Sequence, residues 1–200
     1  NNHSMKRFAP GTNKTDIGIV YIFLALLCGC NRGPDLLRAA HEGRLAEVTK
    51  LVQSGVDPNV VNELGETSLH RGAAAGHFDV VKWLVENGAV IDCADNGGRV
   101  PLHSAAFFKR HDILEYLLER KADVNAATLS GTTPLHAAGG SMDTRVIMTL
   151  VRNQADLDKK DSEGRTPLAV AQYFIQFPGE YSREEVEKVV ALLKKLKNKN

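Results

Sequence analysis

The sequence predicts an all-α solenoid, and three observations carry that expectation. The stretch Glu66-Thr67-Ser68-Leu69-His70 returns as Arg99-Val100-Pro101-Leu102-His103, Thr132-Thr133-Pro134-Leu135-His136 and Arg165-Thr166-Pro167-Leu168-Ala169, always 33 residues on and always after a glycine (Gly65, Gly98, Gly131, Gly164). Behind each copy runs a helical pattern such as Val80-Val81-Lys82-Trp83-Leu84-Val85. The leucines Leu51, Leu84, Leu117 and Leu150 keep the same period. Fixed self-similarity at this length marks stacked units that bury their apolar faces only against one another.

Composition sets the outer bounds. A hydrophobic content of 43% is enough for a core, and a formal charge of +1 argues against nucleic acid as main partner. Cys28, Cys30 and Cys93 have neither zinc spacing nor a disulfide framework.

The front of the chain has a different logic. Residues 1–4 precede Met5 and are expected to be a non-native extension. Lys6, Arg7 and Lys14 form a basic region, and Ile17 to Leu27 an apolar run of 11 residues. That run is too short to span a bilayer but fits a secretory signal core. Its ending, Leu27-Cys28-Gly29-Cys30, resembles a bacterial lipoprotein signal, with Cys28 departing from the usual small residue. The resemblance implies removal of residues 1–29, a lipid on Cys30, and a protein anchored in the bacterial cell envelope facing the periplasm. Asn31, rather than aspartate, favours the outer membrane. Cleavage would leave 22 basic and 23 acidic residues, and residues 30–34 would form a short tether.

The T-P-L-H-x-A pattern at a 33-residue period resembles the ankyrin repeat over roughly residues 35–197. The resemblance implies about five helix-turn-helix units with short β-hairpin tips, acting as a non-catalytic protein-binding module. A truncated N-terminal cap occupies 35–61, with a helix start at Pro34-Asp35 and Gly55 ending its second helix. Unit 62–94 is the most regular, with Leu69, Ala73, Val81, Leu84 and Val85 expected in the core. Units 95–127 and 128–160 place Lys109, Lys121, Met142 and Gln154 where Gly76 and Gly88 stand. Left-handed backbone there would cost about 1 kcal/mol each, making these units the softer ones. Unit 161–200 is the C-terminal cap. About ten residues are expected to be inserted near Phe177-Pro178-Gly179, before a helix opened by a Ser182/Glu185 capping box.

Functional positions follow by subtraction. Thr67, Leu69, His70, Pro101, Leu102, His103, Pro134, Leu135, His136, Thr166, Pro167 and Leu168 are read as structural repeat-motif residues. The histidines cannot share a metal: stacked units lie about 10 Å apart, whereas a zinc–nitrogen bond is about 2.1 Å. No metal or cofactor is expected. By resemblance, the histidines tie neighbouring units through backbone hydrogen bonds. No G-x-S-x-G elbow or phosphate loop is present, so no catalytic residue is assigned. Cys93 reads as a small residue at a tip base.

The resemblance places the usual contacts at the tips, at the residue before each motif, and at the inner-helix ends. Those ends read His41-Glu42, Ala74-Ala75, Phe107-Phe108, Gly140-Ser141 and Tyr173-Phe174. Phe107, Phe108, Tyr173, Phe174, Leu64, Arg99, Leu129 and Arg165 are the expected protein-binding set, since exposed aromatics mark interfaces. The small pairs would leave hollows between the rings. Competing readings are an inhibitor or immunity protein against an envelope-acting enzyme, a redox accessory using Cys93, and a cytoplasmic or secreted ankyrin effector; the lipoprotein-like signal speaks against the last.

Overall fold

A computed structural model describes residues 32–176 and 181–198. The expected signal segment, Cys30 and its lipid lie outside the described residues. Among the described residues ten helices follow in order: α1 Gly33–His41, α2 Leu45–Gln53, α3 Ser68–Ala75, α4 Phe78–Glu86, α5 Pro101–Phe107, α6 His111–Glu119, α7 Pro134–Ser141, α8 Thr144–Arg152, α9 Pro167–Gln176 and α10 Arg183–Lys197. Odd-numbered helices form an inner stack and even-numbered helices an outer one, each packing on its counterpart in the next unit. Among the described residues no helix is long and apolar enough to cross a membrane.

Each inner helix begins where the motif dictates. Pro101, Pro134 and Pro167 stand at the first helical position, where a missing N–H costs nothing and φ is already near helical. Thr67 caps α3 with extended φ and ψ of −91° and 170°, accepting from the His70 N–H. The inner helices pack closely because they carry small pairs: Ala39-Ala40, Gly72-Ala73, Ala105-Ala106 and Ala138-Gly139, all buried. At Gly139 a Cβ would stand 2.8 Å from the Pro167 carbonyl oxygen, so only glycine fits between α7 and α9. The outer helices bury Val80, Val81 and Leu84, then Ile113, Leu114 and Leu117, then Val146, Ile147 and Leu150. Leu69, Ala73, Val81 and Leu84 are buried as expected, while Val85 is only half-buried.

Several boundaries differ from expectation. The first helix begins at Gly33, so Pro34 lies in its first turn and not in a tether. The tips contain no strand among the described residues; one isolated bridge, Val61 to Thr67, is all that pairs. Each tip is a tight turn closed by two backbone bonds, as from Asn62 N to Glu66 O at 3.0 Å and from Gly65 N to Asn62 O at 2.9 Å, too short to propagate a ladder. Phe78, His111 and Thr144 start the earlier outer helices, a period that points to position 177. The last outer helix starts instead at Arg183, six residues late rather than about ten. Ser182 caps it, its hydroxyl taking the Glu185 N–H at 3.3 Å while Glu185 Oε2 accepts from Ser182 N at 2.8 Å. Val186, Val189, Val190 and Leu193 form its buried stripe.

The expected left-handed residues are left-handed. Lys109, Lys121, Met142 and Gln154 have φ of 58°, 69°, 56° and 69°, beside 91° at Gly76 and 93° at Gly88.

Candidate protein-binding groove

The motif histidines join the units. His70 Nε2 donates to the Arg99 carbonyl at 2.9 Å, His103 Nε2 to that of Thr132 at 3.0 Å, and His136 Nε2 to that of Arg165 at 3.0 Å. In each ring Nδ1 accepts a backbone N–H at 3.2 Å, from Thr67, Val100 and Thr133. One nitrogen accepting and the other donating defines the neutral Nε2–H form. Burial pushes His70 and His103 below the ordinary imidazole value, although the accepting Arg99 and Thr132 carbonyls pull the other way. Both nitrogens are thus occupied, and no group of three or more metal-capable side chains occurs among the described residues.

The tips are linked in their own chain. Asn96 N donates to Leu64 O at 3.0 Å, Leu129 N to Gly97 O at 2.9 Å, and Ser162 N to Ser130 O at 2.8 Å. Within each tip one side-chain oxygen gathers the turn. Asp95 Oδ1 accepts from Gly97 N and Arg99 N, both at 2.8 Å, and its Oδ2 accepts from Arg99 Nε at 2.7 Å. Asp161 repeats the arrangement with Glu163 N, Arg165 N and Arg165 Nε. Burial alone would raise these carboxyls. The surrounding N–H donors and the guanidiniums outweigh it and hold both below the usual carboxylate range. Asp95 and Asp161 are anchors outside the repeat motif, and their one sequence signal is Asp-x-x-x-Arg recurring in register at 95/99 and 161/165.

The ends of the inner helices carry the rings. Phe107, Phe108 and Tyr173 are 53%, 49% and 53% exposed. Phe107 and Phe108 meet edge-to-face at 5.1 Å. Leu64 and Leu129 project from the tips at 60% and 82% exposure. Arg99 is exposed and Arg165 half-buried.

Phe174 departs from the expected set. It is half-buried against the core, with Tyr181 edge-to-face at 5.9 Å. Tyr181 lies just ahead of the delayed last helix and covers this ring, and Lys109 Nζ stands 5.3 Å above the Tyr181 ring. Ser141 is also buried, donating to the Ala106 and Ala138 carbonyls. Gly140 is open: a Cβ added there would meet nothing within 4 Å. The motif residues Thr67, Leu69, His70, Pro101, Leu102, His103, Pro134, Leu135, His136 and Pro167 are buried, while Thr166 and Leu168 in the terminal unit are half-buried.

A stack of short helix pairs, sealed from unit to unit and presenting rings and cations along its inner side, defines a solenoid interaction protein. The family profile described as ankyrin repeats, three copies, matches residues 36–128. Beyond that span, α7 to α9 continue the same geometry and the same histidine tie. Residues 36–128 are ankyrin repeats, and the described helices form an all-α solenoid of the ankyrin type. A search of curated proteins gives no match.

Proposed function

We propose that this protein is a non-catalytic adaptor of the bacterial envelope. It binds a protein partner through the inner helix ends and the tips, and a lipid on Cys30 holds it at the membrane, facing the periplasm. Ankyrin repeats indicate a protein–protein interaction module. The observation that carries the assignment to this surface is the exposure of Phe107, Phe108 and Tyr173 on inner helix ends, where rings lose contact with water only by docking. The envelope reading is supported by the basic, apolar and Leu27-Cys28-Gly29-Cys30 sequence at the front of the chain.

The test is affinity capture from an envelope extract with the whole protein. Its comparison is a Phe107→Ser/Phe108→Ser variant whose thermal melt shows it folded. A protein retained by the first and lost by the second supports the groove; equal retention rejects it. Metabolic labelling with an alkyne fatty acid tests the anchor, with label on the protein and none on Cys30→Ser as the expected result.

A further inference from the structure

Two similar walls stand across the fourth unit. One carries Arg99 at its tip and Phe107 at its helix end, and the other carries Arg165 and Tyr173 at the equivalent positions. Between them the floor is low, formed by Thr132 and the open Gly140. The walls differ from ordinary paired surface charge. The side chains of Asp95 and Asp161 are buried, 1% and 2% exposed, behind arginine side chains that are 56% and 42% exposed. Each pair is neutral in sum with the arginine outermost; at Arg99 the face it shows is cationic, while at Arg165 the exposed Glu163 carboxylate offsets the charge. Arg99 is held through Nε alone, so among the described residues both terminal nitrogens are unpaired and point-fixed donors. Arg165 gives one terminal nitrogen to Glu163 Oε2 at 2.7 Å and keeps the other.

The geometry points to an extended acidic–apolar peptide segment as the occupant of this saddle. An apolar side chain sits over Gly140 between Phe107 and Tyr173, and flanking carboxylates reach Arg99 and Arg165. The inference rests on the groove reading above and narrows the partner to a chemistry. Charge complementarity at Arg99 selects the acid: a carboxylate matches its two unpaired terminal nitrogens with two parallel hydrogen bonds, and the second carboxylate meets the one terminal nitrogen that Arg165 keeps. Dimensions select the spacing. Packed helices lie about 8–10 Å apart, so walls two units apart are separated by about 16–20 Å. An extended chain advances about 3.3 Å per residue, which puts the two carboxylates five to six residues apart with the apolar residue midway.

Fluorescence anisotropy with the full chain tests it. The probe is a labelled seven-residue peptide with glutamate at each end, leucine at the centre and serine elsewhere. Two controls replace the glutamates by lysine, or the leucine by serine. The expected result is saturable binding of the probe, with each control about tenfold weaker or worse. Arg99→Gln should weaken the probe about fivefold, and Gly140→Leu, which fills the floor, should erase the preference for leucine over serine. Thermal melts confirm that both variants fold. Equal or tighter binding of the lysine peptide overturns the inference, and so does failure of all three peptides. A concentration-dependent dimer that excludes the probe also overturns it, giving the saddle to a second copy. In each case loss of the captured partner on Phe107→Ser/Phe108→Ser would leave the groove reading standing, so the two failures are distinguishable.

Discussion

Arg99 is held from two sides: its carbonyl takes the Nε2–H of His70 at 2.9 Å, and its guanidinium is fixed by the buried carboxylate of Asp95 at 2.7 Å. The same residue closes the stack and lines the groove. Arg165 is built alike, with His136 on its carbonyl and Asp161 on its side chain. Binding chemistry is therefore mounted on the joints that hold the units in register, where the backbone is least free to move.

The histidine ties make stability pH-dependent with a defined sign. Burial lowers the folded-state pKa of His70 and His103, so the unfolded chain takes up protons that the folded chain refuses. Their contribution is complete above about pH 6.5, the ordinary value, and is lost as pH falls from there toward the folded pKa. Urea midpoints at pH 7.5, 6 and 5 should decline in that order. The His70→Gln/His103→Gln variant should lose about 1–2 kcal/mol per site at pH 7.5 and show a shallower decline.

The tip anchors act in a lower window. Asp95 and Asp161 are held below the usual carboxylate range, so their contribution is present at neutral pH and lost only as pH falls through and below about 4. Asp95→Ala removes the acceptor of two backbone N–H groups and the hold on Arg99. We expect a loss of about 2 kcal/mol at pH 7, read by urea denaturation, with the deficit shrinking in acid.

Left-handed backbone at non-glycine residues offers a gain. Lys121→Gly and Gln154→Gly should each stabilise the protein by about 0.5–1 kcal/mol, since glycine adopts φ near 69° without the Cβ conflict. Differential scanning calorimetry reads the rise in Tm. The same change at Lys82, on the exposed side of α4, should destabilise.

A second clamp is incomplete at one joint. Asn59 donates to Gly88 O and accepts from Val90 N, and Asn125 does the same with Gln154 O and Asp156 N. Asp92 stands at the equivalent place and only accepts, from Asp123 N at 3.2 Å. Burial raises its carboxyl, the Asp123 N–H opposes this, and the neighbouring Asp123 charge adds to the rise. Its ionised form is thus disfavoured by folding, a cost absent in acid and complete at neutral pH. Asp92→Asn restores the donor and should add about 0.5 kcal/mol at pH 7, with no gain at pH 3.

Much of this was legible because the chain repeats itself. One glycine at position 76 or 88 revealed what backbone Lys109, Lys121, Met142 and Gln154 must adopt, and the His70 period gave the ties. The breaks in the period were harder to read. The covering of Phe174 depends on the length of a six-residue delay and on Tyr181 packing against that ring, contacts between segments that no spacing encodes. Ser141 looked like a surface residue in the pattern, but its hydroxyl finds two inner carbonyls. Asp95 and Asp161 were visible as a pattern, yet their meaning came only from the geometry that buries the acid and leaves the base outside.

The measurement that bears most directly on the groove is site-specific photo-crosslinking in cells. A benzoylphenylalanine replaces Phe107 or Tyr173 on the inner helix ends, and Glu86 or Glu119 on the exposed outer helices. The expected result is one crosslinked protein partner from positions 107 and 173 and none from 86 and 119. A partner crosslinked from the outer helices, with positions 107 and 173 silent, would contradict it.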